Sequence, residues 1–193
     1  MCIPEIVLNK MAFRQKGVSL VELIMFIMII SIGVAGILSV MNVTTANSAD
    51  PMVRKQAQAV AESLLEEIEL QPFTYCDPDD TNAATATGAF VGAGGCATTV
   101  EAMGPEGETR YAAPQFDNVN DYHGFTMNPI VDINNSPIAG LAGFTATVTI
   151  SQAGAAFSLP AADVLQIDVR VTSGNIDIPM TGYRFRYAPN AVP

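Results

Sequence analysis

The sequence has few of the residues on which many protein functions depend. Among its 193 residues there is no tryptophan and one histidine, and 9 lysines and arginines stand against 19 aspartates and glutamates. The net charge of −10 argues against a nucleic-acid binder, because neutralising phosphates requires clustered cations. The histidine, His123, lies in the turn-like NDYHGF and by itself makes neither a catalytic triad nor a metal cluster. We therefore expect no enzyme and no cofactor.

Apolar residues, in contrast, are abundant, and one segment concentrates them. In residues 18–40, VSLVELIMFIMIISIGVAGILSV, 17 of 23 residues are apolar, and residues 23–49 carry no charge. That length spans a bilayer as a helix. Lys10, Arg14 and Lys16 lie upstream, and by the positive-inside rule they hold the N-terminus in the cytoplasm. We predict a single-pass membrane protein with its C-terminal part on the far side of the membrane.

Glu22 is the one charged residue within this apolar run. A carboxylate at the centre of a bilayer costs about 2.5–3.5 kcal/mol, and less near the interface. The residues alone leave two readings open. Either Glu22 reaches the cytoplasmic interface, or it meets a cation that is present only in an assembled state.

Residues 17–24, GVSLVELI, preceded by Arg14-Gln15-Lys16, resemble the type III signal of type IV pilins and pseudopilins, usually written G-F-T-L-I-E. The resemblance implies that a prepilin peptidase cuts after Gly17 and methylates the new amine of Val18, where the family usually has Phe. It also implies that Glu22 pairs with the N-terminal ammonium of a neighbouring subunit as a filament assembles. In low dielectric each charge would offset the cost of burying the other.

Downstream of the membrane segment, residues 50–71 show the spacing of an amphipathic helix, and Pro72 ends it. Pro51 fits either a kink in one long helix or the start of a separate one. Arg54 and Lys55 precede several glutamates, the reverse of what the helix dipole favours. These charges either pair with those of staggered neighbouring subunits or simply face solvent. The apolar stripe consists of Ala57, Val60, Ala61, Leu64 and Ile68.

Removal of a leader containing Cys2 would leave two cysteines, Cys76 and Cys96, in an oxidising compartment. No C-x-x-C motif is present, so we predict a structural disulfide rather than a redox site. Closing a loop of this length contributes about 3 kcal/mol.

Three later segments alternate between apolar and polar residues and predict half-buried strands: 144–151, 167–172 and 181–187. Ser173-Gly174-Asn175 reads as a hairpin-like turn. A fourth strand within 125–133 is interrupted by Pro129. The predicted fold is α+β, with an antiparallel sheet packed against the apolar stripe of the helix.

Two acidic groups resemble half of a calcium-binding loop. One comprises Asp77, Asp79 and Asp80, and the other comprises Asp117 and Asp121 with their neighbouring asparagines. Neither is followed by the glycine and the terminal glutamate that such a loop requires. We predict no metal site, with the first group as a weak calcium candidate, because turn chemistry explains both groups.

Residues 49–80, the phrase FDNVNDYHGF at 116–125 and the strand before Ala188-Pro189 closely resemble the D-type minor pilins of mannose-sensitive haemagglutinin pili, which are bacterial type IV pili. The resemblance implies a low-abundance subunit that helps to initiate or cap pilus assembly. It implies as partners the prepilin peptidase, the inner membrane and, through the N-terminal helix, other pilins; no nucleic acid and no small-molecule substrate is expected. Two alternatives stay open: a minor pseudopilin of type II secretion, and an uncleaved signal-anchor protein whose head binds a ligand.

The expected organisation has a pilin-like order, and both Met1 and Met11 fit as its start. In chain order we expect a cleaved cytoplasmic leader (1–17), the transmembrane half of a helix (18–48), its amphipathic periplasmic half (49–71) and a β-rich head (72–193) with the disulfide loop 76–96.

Overall fold

The computed structural model describes residues 17–192, with the backbone alone at 44–50. The predictions for the leader and for its start therefore lie outside the described residues, apart from Gly17. The chain divides into two compact units, Met1–Ser48 and Ala49–Pro193. Helix α1 (Leu20–Glu69) supplies residues to both units, and Pro51 lies within it.

In the first unit, α1 is apolar on every side. The stretch Leu20–Val43, 24 residues with a mean hydropathy of 2.7, is long and apolar enough to cross a membrane. Its large apolar side chains are 47–73% exposed, so the described chain does not cover them. The hydroxyl of Ser31 donates to the carbonyl oxygen of Ile27 at 2.7 Å, which satisfies this polar group within the helix. The predicted spanning helix is thus confirmed in length and composition, while its orientation stays a prediction.

In the second unit, the C-terminal part of α1 packs on a sheet through the predicted stripe. Ala57, Ala61, Leu64 and Ile68 are at most 3% exposed, and Val60 packs beside them. The helix ends at Glu69, three residues before Pro72, close to the predicted end. These contacts confirm the amphipathic segment.

The sheet has four antiparallel strands in the order β1 (Thr126–Met127), β2 (Thr145–Gln152), β3 (Val164–Ser173) and β4 (Ile176–Phe185). Its inward side chains form one core with the helix stripe, and Val148 lies opposite Val169 in the β2–β3 register. The α+β architecture predicted from the sequence is confirmed at this level.

Strand boundaries differ from the prediction in three places. β3 begins at Val164 rather than Ile167, and β4 runs over Ile176–Phe185 rather than 181–187. Gly174, with φ +56°, makes the turn so tight that Ser173 and Ile176 already pair. β4 tolerates Pro179 because it lies at the edge of the sheet, where a proline costs no ladder hydrogen bond on the open side. The expected strand within 125–133 shrinks to Thr126–Met127 ahead of Pro129.

Gly182 of β4 lies directly against two side chains from the end of α1. A Cβ on Gly182 would lie 2.0 Å from Oε1 of Glu69 and 2.9 Å from Cδ1 of Leu65. Both atoms lie at the far ends of flexible side chains, so a side chain at position 182 would displace the Glu69 carboxylate and the end of Leu65.

Candidate functional sites: the N-terminal segment and an acidic cluster

The residues of the predicted processing signal lie at the start of the apolar helix. Gly17 and Val18 precede α1 in a segment without regular structure, and both are exposed. Glu22 lies in the first turn of α1, where the helix dipole favours a negative charge. Among the described side chains, those of residues 17–43 and 51–192, Glu22 makes no ion pair, since the two ion pairs found there are formed by other residues. A cation for this carboxylate would thus have to come from elsewhere.

The predicted disulfide is present and ties together an irregular loop. Cys76 and Cys96 are bonded, with 5.5 Å between their Cα atoms. Both are fully buried and form a small apolar cluster with Ala83 and Ala86, apart from the main core. The predicted bond is thus confirmed, and its structural rather than redox role stays a prediction.

Asp80, one of the three weak calcium candidates, is committed to the disulfide loop instead. Its Oδ1 accepts hydrogen bonds from the amides of Asn82 and Ala97 at 2.8 and 2.9 Å. Its Oδ2 accepts from the amides of Thr98 and Thr99 at 2.7 and 2.9 Å. These amides, led by that of Thr99, hold the pKa of Asp80 well below its usual range. Asp80 is therefore a loop-organising residue and no longer a candidate ligand.

The other acids meet in what we call the acidic cluster: Asp77, Asp79, Glu108 and Asp117. One carboxylate oxygen from each lies within 4.8 Å of the others. The structure thus joins two groups that the sequence presented separately and adds Glu108, which the sequence analysis missed. No sequence signal marks Glu108, because loop packing alone brings it to residues so distant in the chain.

Burial, and after it the crowding of like charges, makes the acidic cluster hard to ionise completely. Burial, together with the carboxylate of Asp121, raises the pKa of Glu108 to about 8 and that of Asp117 to about 7. Burial also raises the pKa of Asp121, although its Oδ2 accepts from the amides of Asp117 and Asn118 at 3.0 and 2.7 Å. Four convergent carboxylates are the donor set that hard divalent cations prefer. Protonation of the carboxylates also reduces the repulsion among them, because it neutralises their charge.

A part-buried ion pair joins α1 to the loops of the head. Nε and Nη2 of Arg110 donate to the two carboxylate oxygens of Glu67 at 2.6 and 2.7 Å. The hydroxyl of Tyr122 donates to the same carboxylate at 2.9 Å. Glu67 is therefore occupied within its own chain. Of the two readings of these charges, pairing with a neighbouring subunit therefore loses Glu67 as a partner. Arg54 and Lys55 are exposed.

Comparison of the chain with protein-family models, with curated proteins and with solved structures finds no match. The relation to pilins accordingly rests on the residues quoted from the sequence.

Proposed function

We propose that this chain is a minor pilin of a type IV pilus of the mannose-sensitive haemagglutinin type, a structural subunit rather than an enzyme. In this proposal, prepilin peptidase cuts after Gly17, and Val18 becomes the methylated N-terminus. The subunit waits in the inner membrane, with its head in the periplasm, until it enters a filament and helps to initiate or cap it.

The observation that carries the proposal is the combination of an uncovered apolar helix and an isolated carboxylate. Leu20–Val43 exposes its apolar side chains all round, and Glu22 has no ion pair within the described residues. A helix of this kind suits lipid first and then a bundle of identical helices, because both surroundings are apolar. In such a bundle the ammonium of Val18 from a neighbour would supply the charge that Glu22 lacks.

The contacts between the head and the C-terminal part of α1 also support the proposal. The stripe from Ala57 to Ile68 is buried on the sheet, and the Glu67–Arg110 pair adds a second link. A subunit pulled out of the membrane by its helix would carry the folded head with it. This packing of the C-terminal part of α1 on the sheet supports a pilin-like layout.

The test is the substitution Glu22→Ala in the mature chain. We expect the variant to be processed normally, because the peptidase cuts upstream, but to be scarce in sheared filaments. Glu62→Ala removes an exposed carboxylate from the same helix and serves as the matched control. Equal amounts of Glu22→Ala and the unchanged subunit in filaments would overturn the pairing. A deletion strain that keeps its surface pili but loses protein secretion would favour the pseudopilin alternative.

A further inference from the structure

The two edges of the sheet differ in how much unpaired backbone they expose. The edge formed by β1 has two residues, Thr126–Met127, whereas the edge formed by β4 has ten, Ile176–Phe185. Within residues 17–192, β4 pairs with β3 alone. An open edge is a template on which a strand of another molecule can pair, and a short edge strand limits this hazard. Length therefore protects the β1 edge but not the β4 edge.

The register between β3 and β4 shows which backbone groups of β4 face the open edge. Just beyond the strand, the amide of Arg186 donates to the carbonyl oxygen of Asp163 at 2.9 Å, and the pairing of Ser173 with Ile176 across the turn agrees. Backbone groups alternate in direction along an antiparallel strand, so the even-numbered residues of β4 bond to β3. The backbone groups of the odd-numbered residues point away from β3: Asp177, Pro179, Thr181, Tyr183 and Phe185.

Pro179, the fourth residue of β4, is one of these outward-facing positions. Its nitrogen has no hydrogen to donate, and its ring lies where a partner strand would approach. The proline therefore leaves the ladder with β3 intact but interrupts any ladder on the open side. An incoming strand would find an uninterrupted run only from Met180 to Phe185. Proline on an edge strand is one of the means by which proteins prevent edge-to-edge pairing.

The side chains beside this edge would favour pairing if the proline were absent. On the outer face of the sheet, Tyr183 and Phe185 pack against Phe157, with ring centroids 5.3 and 5.1 Å apart. The three residues are 38–43% exposed and form an exposed aromatic patch. Aromatic residues favour strands, and aromatic pairs across neighbouring strands add stability. The C-terminal half of β4 thus has both the backbone and the side chains to pair with a second molecule.

We propose that Pro179 prevents β4 from pairing with β4 of a second copy of this chain. A second copy is the partner that this edge can always meet, because two identical strands are complementary about a twofold axis. Such pairing would join two sheets into one and bring the aromatic patches of both copies together. The proposal concerns the head alone and does not depend on filament assembly.

The test is Pro179→Thr in the mature chain in detergent. Threonine suits a strand and restores the outward N–H, and the fold should be kept because position 179 makes no backbone bond to β3. Sedimentation equilibrium in density-matched detergent should show self-association about tenfold stronger than that of the unchanged chain, as expected for about two regained backbone hydrogen bonds. The membrane helix is the same in both chains, so its own association cancels in the comparison.

Hydrogen exchange of the same samples locates the contact. The amides of Thr181 and Tyr183 face the open edge, so they should exchange quickly in the unchanged chain and become protected in Pro179→Thr. The amide of Met180 faces β3 and should be protected in both chains.

Two control variants separate the missing N–H from other effects. Thr181→Val adds an apolar side chain to the same edge but keeps Pro179, so it should associate no more strongly than the unchanged chain. Adding Thr181→Pro to Pro179→Thr moves the proline to the next outward-facing position and should abolish the gained association.

Three results for the variants would overturn the proposal: Pro179→Thr associates no more strongly than the unchanged chain, its new protection does not include Thr181 and Tyr183, or the moved proline leaves the association as it was. Failure of Pro179→Thr to fold would also contradict it, because an outward-facing position should tolerate the change. Slow exchange of Thr181 and Tyr183 in the unchanged chain would show that the edge is already covered, against the proposal.

Discussion

The part-buried ion pair between Glu67 and Arg110 provides the most direct test of how α1 is held on the head. In Arg110→Met, the Glu67 carboxylate would keep only the hydrogen bond from Tyr122. Arg110 is 8% and Glu67 26% exposed, so the orphaned charge would be largely desolvated. Removing one partner of such a pair costs about 3–5 kcal/mol, and the partial exposure of Glu67 places our expectation at about 3 kcal/mol. For a unit of the size of Ala49–Pro193, this loss should lower the midpoint of thermal unfolding by about 6–12 °C.

A second, exposed ion pair in the same chain provides the control for Arg110→Met. Arg170 pairs with Asp177 on the outer face of the sheet, with the two side chains 62% and 45% exposed. The same substitution, Arg170→Met, should cost less than about 1 kcal/mol, because surface pairs are worth little. Urea unfolding of the mature chain in detergent, followed by circular dichroism, measures the free energy of unfolding of both variants.

Replacing both partners, as in Arg110→Met with Glu67→Leu, should recover part of the stability that Arg110→Met alone loses. A buried apolar pair pays no desolvation cost, whereas an unpaired buried carboxylate does. An Arg110→Met variant no less stable than Arg170→Met would refute the reasoning from burial.

Three further variants or conditions test other parts of the head. The pKa of Glu108 is raised to about 8 in the folded chain, so protonation of this group stabilises the fold. This contribution to the free energy of unfolding is fully present below about pH 4 and is lost as the pH rises towards 8. The midpoint of thermal unfolding should therefore be lower at pH 8 than at pH 5. Replacing Cys76 and Cys96 by alanine should lower the free energy of unfolding by about 3 kcal/mol, and a reductant should then have no further effect. Gly182→Ala should cost about 1 kcal/mol, because Glu69 and Leu65 must shift their side-chain ends, whereas Gly143→Ala, where the nearest atom lies 3.9 Å away, should cost less.

The parts of the fold that the sequence predicted are those with a local period. The apolar run, the stripe on α1 and the alternation in β2 and β3 repeat over neighbouring residues, so they identify an element without knowledge of the rest. The cysteine pair is predictable for another reason, since only two of the three cysteines lie beyond the proposed leader. Each of these predictions is confirmed at the level of the elements.

The missed contacts have no such local signal. Glu67 and Arg110 are 43 residues apart, and Glu108 meets Asp77 through the packing of irregular loops. Likewise, no pattern in the sequence indicates that Asp80 accepts hydrogen bonds from the amides of Thr98 and Thr99, just after the disulfide loop. Such contacts depend on where loops lie after folding, and no periodicity encodes that position.

The state of the N-terminus of the chain in cells tests the pilin proposal most directly. Mass spectrometry of the N-terminal peptide, in strains with and without prepilin peptidase, shows whether the leader is removed and whether the new N-terminus is methylated. We expect a methylated Val18 when the peptidase is present and an intact leader ending in Gly17 when it is absent. A leader that stays attached in both strains would contradict the proposal and indicate an uncleaved membrane anchor.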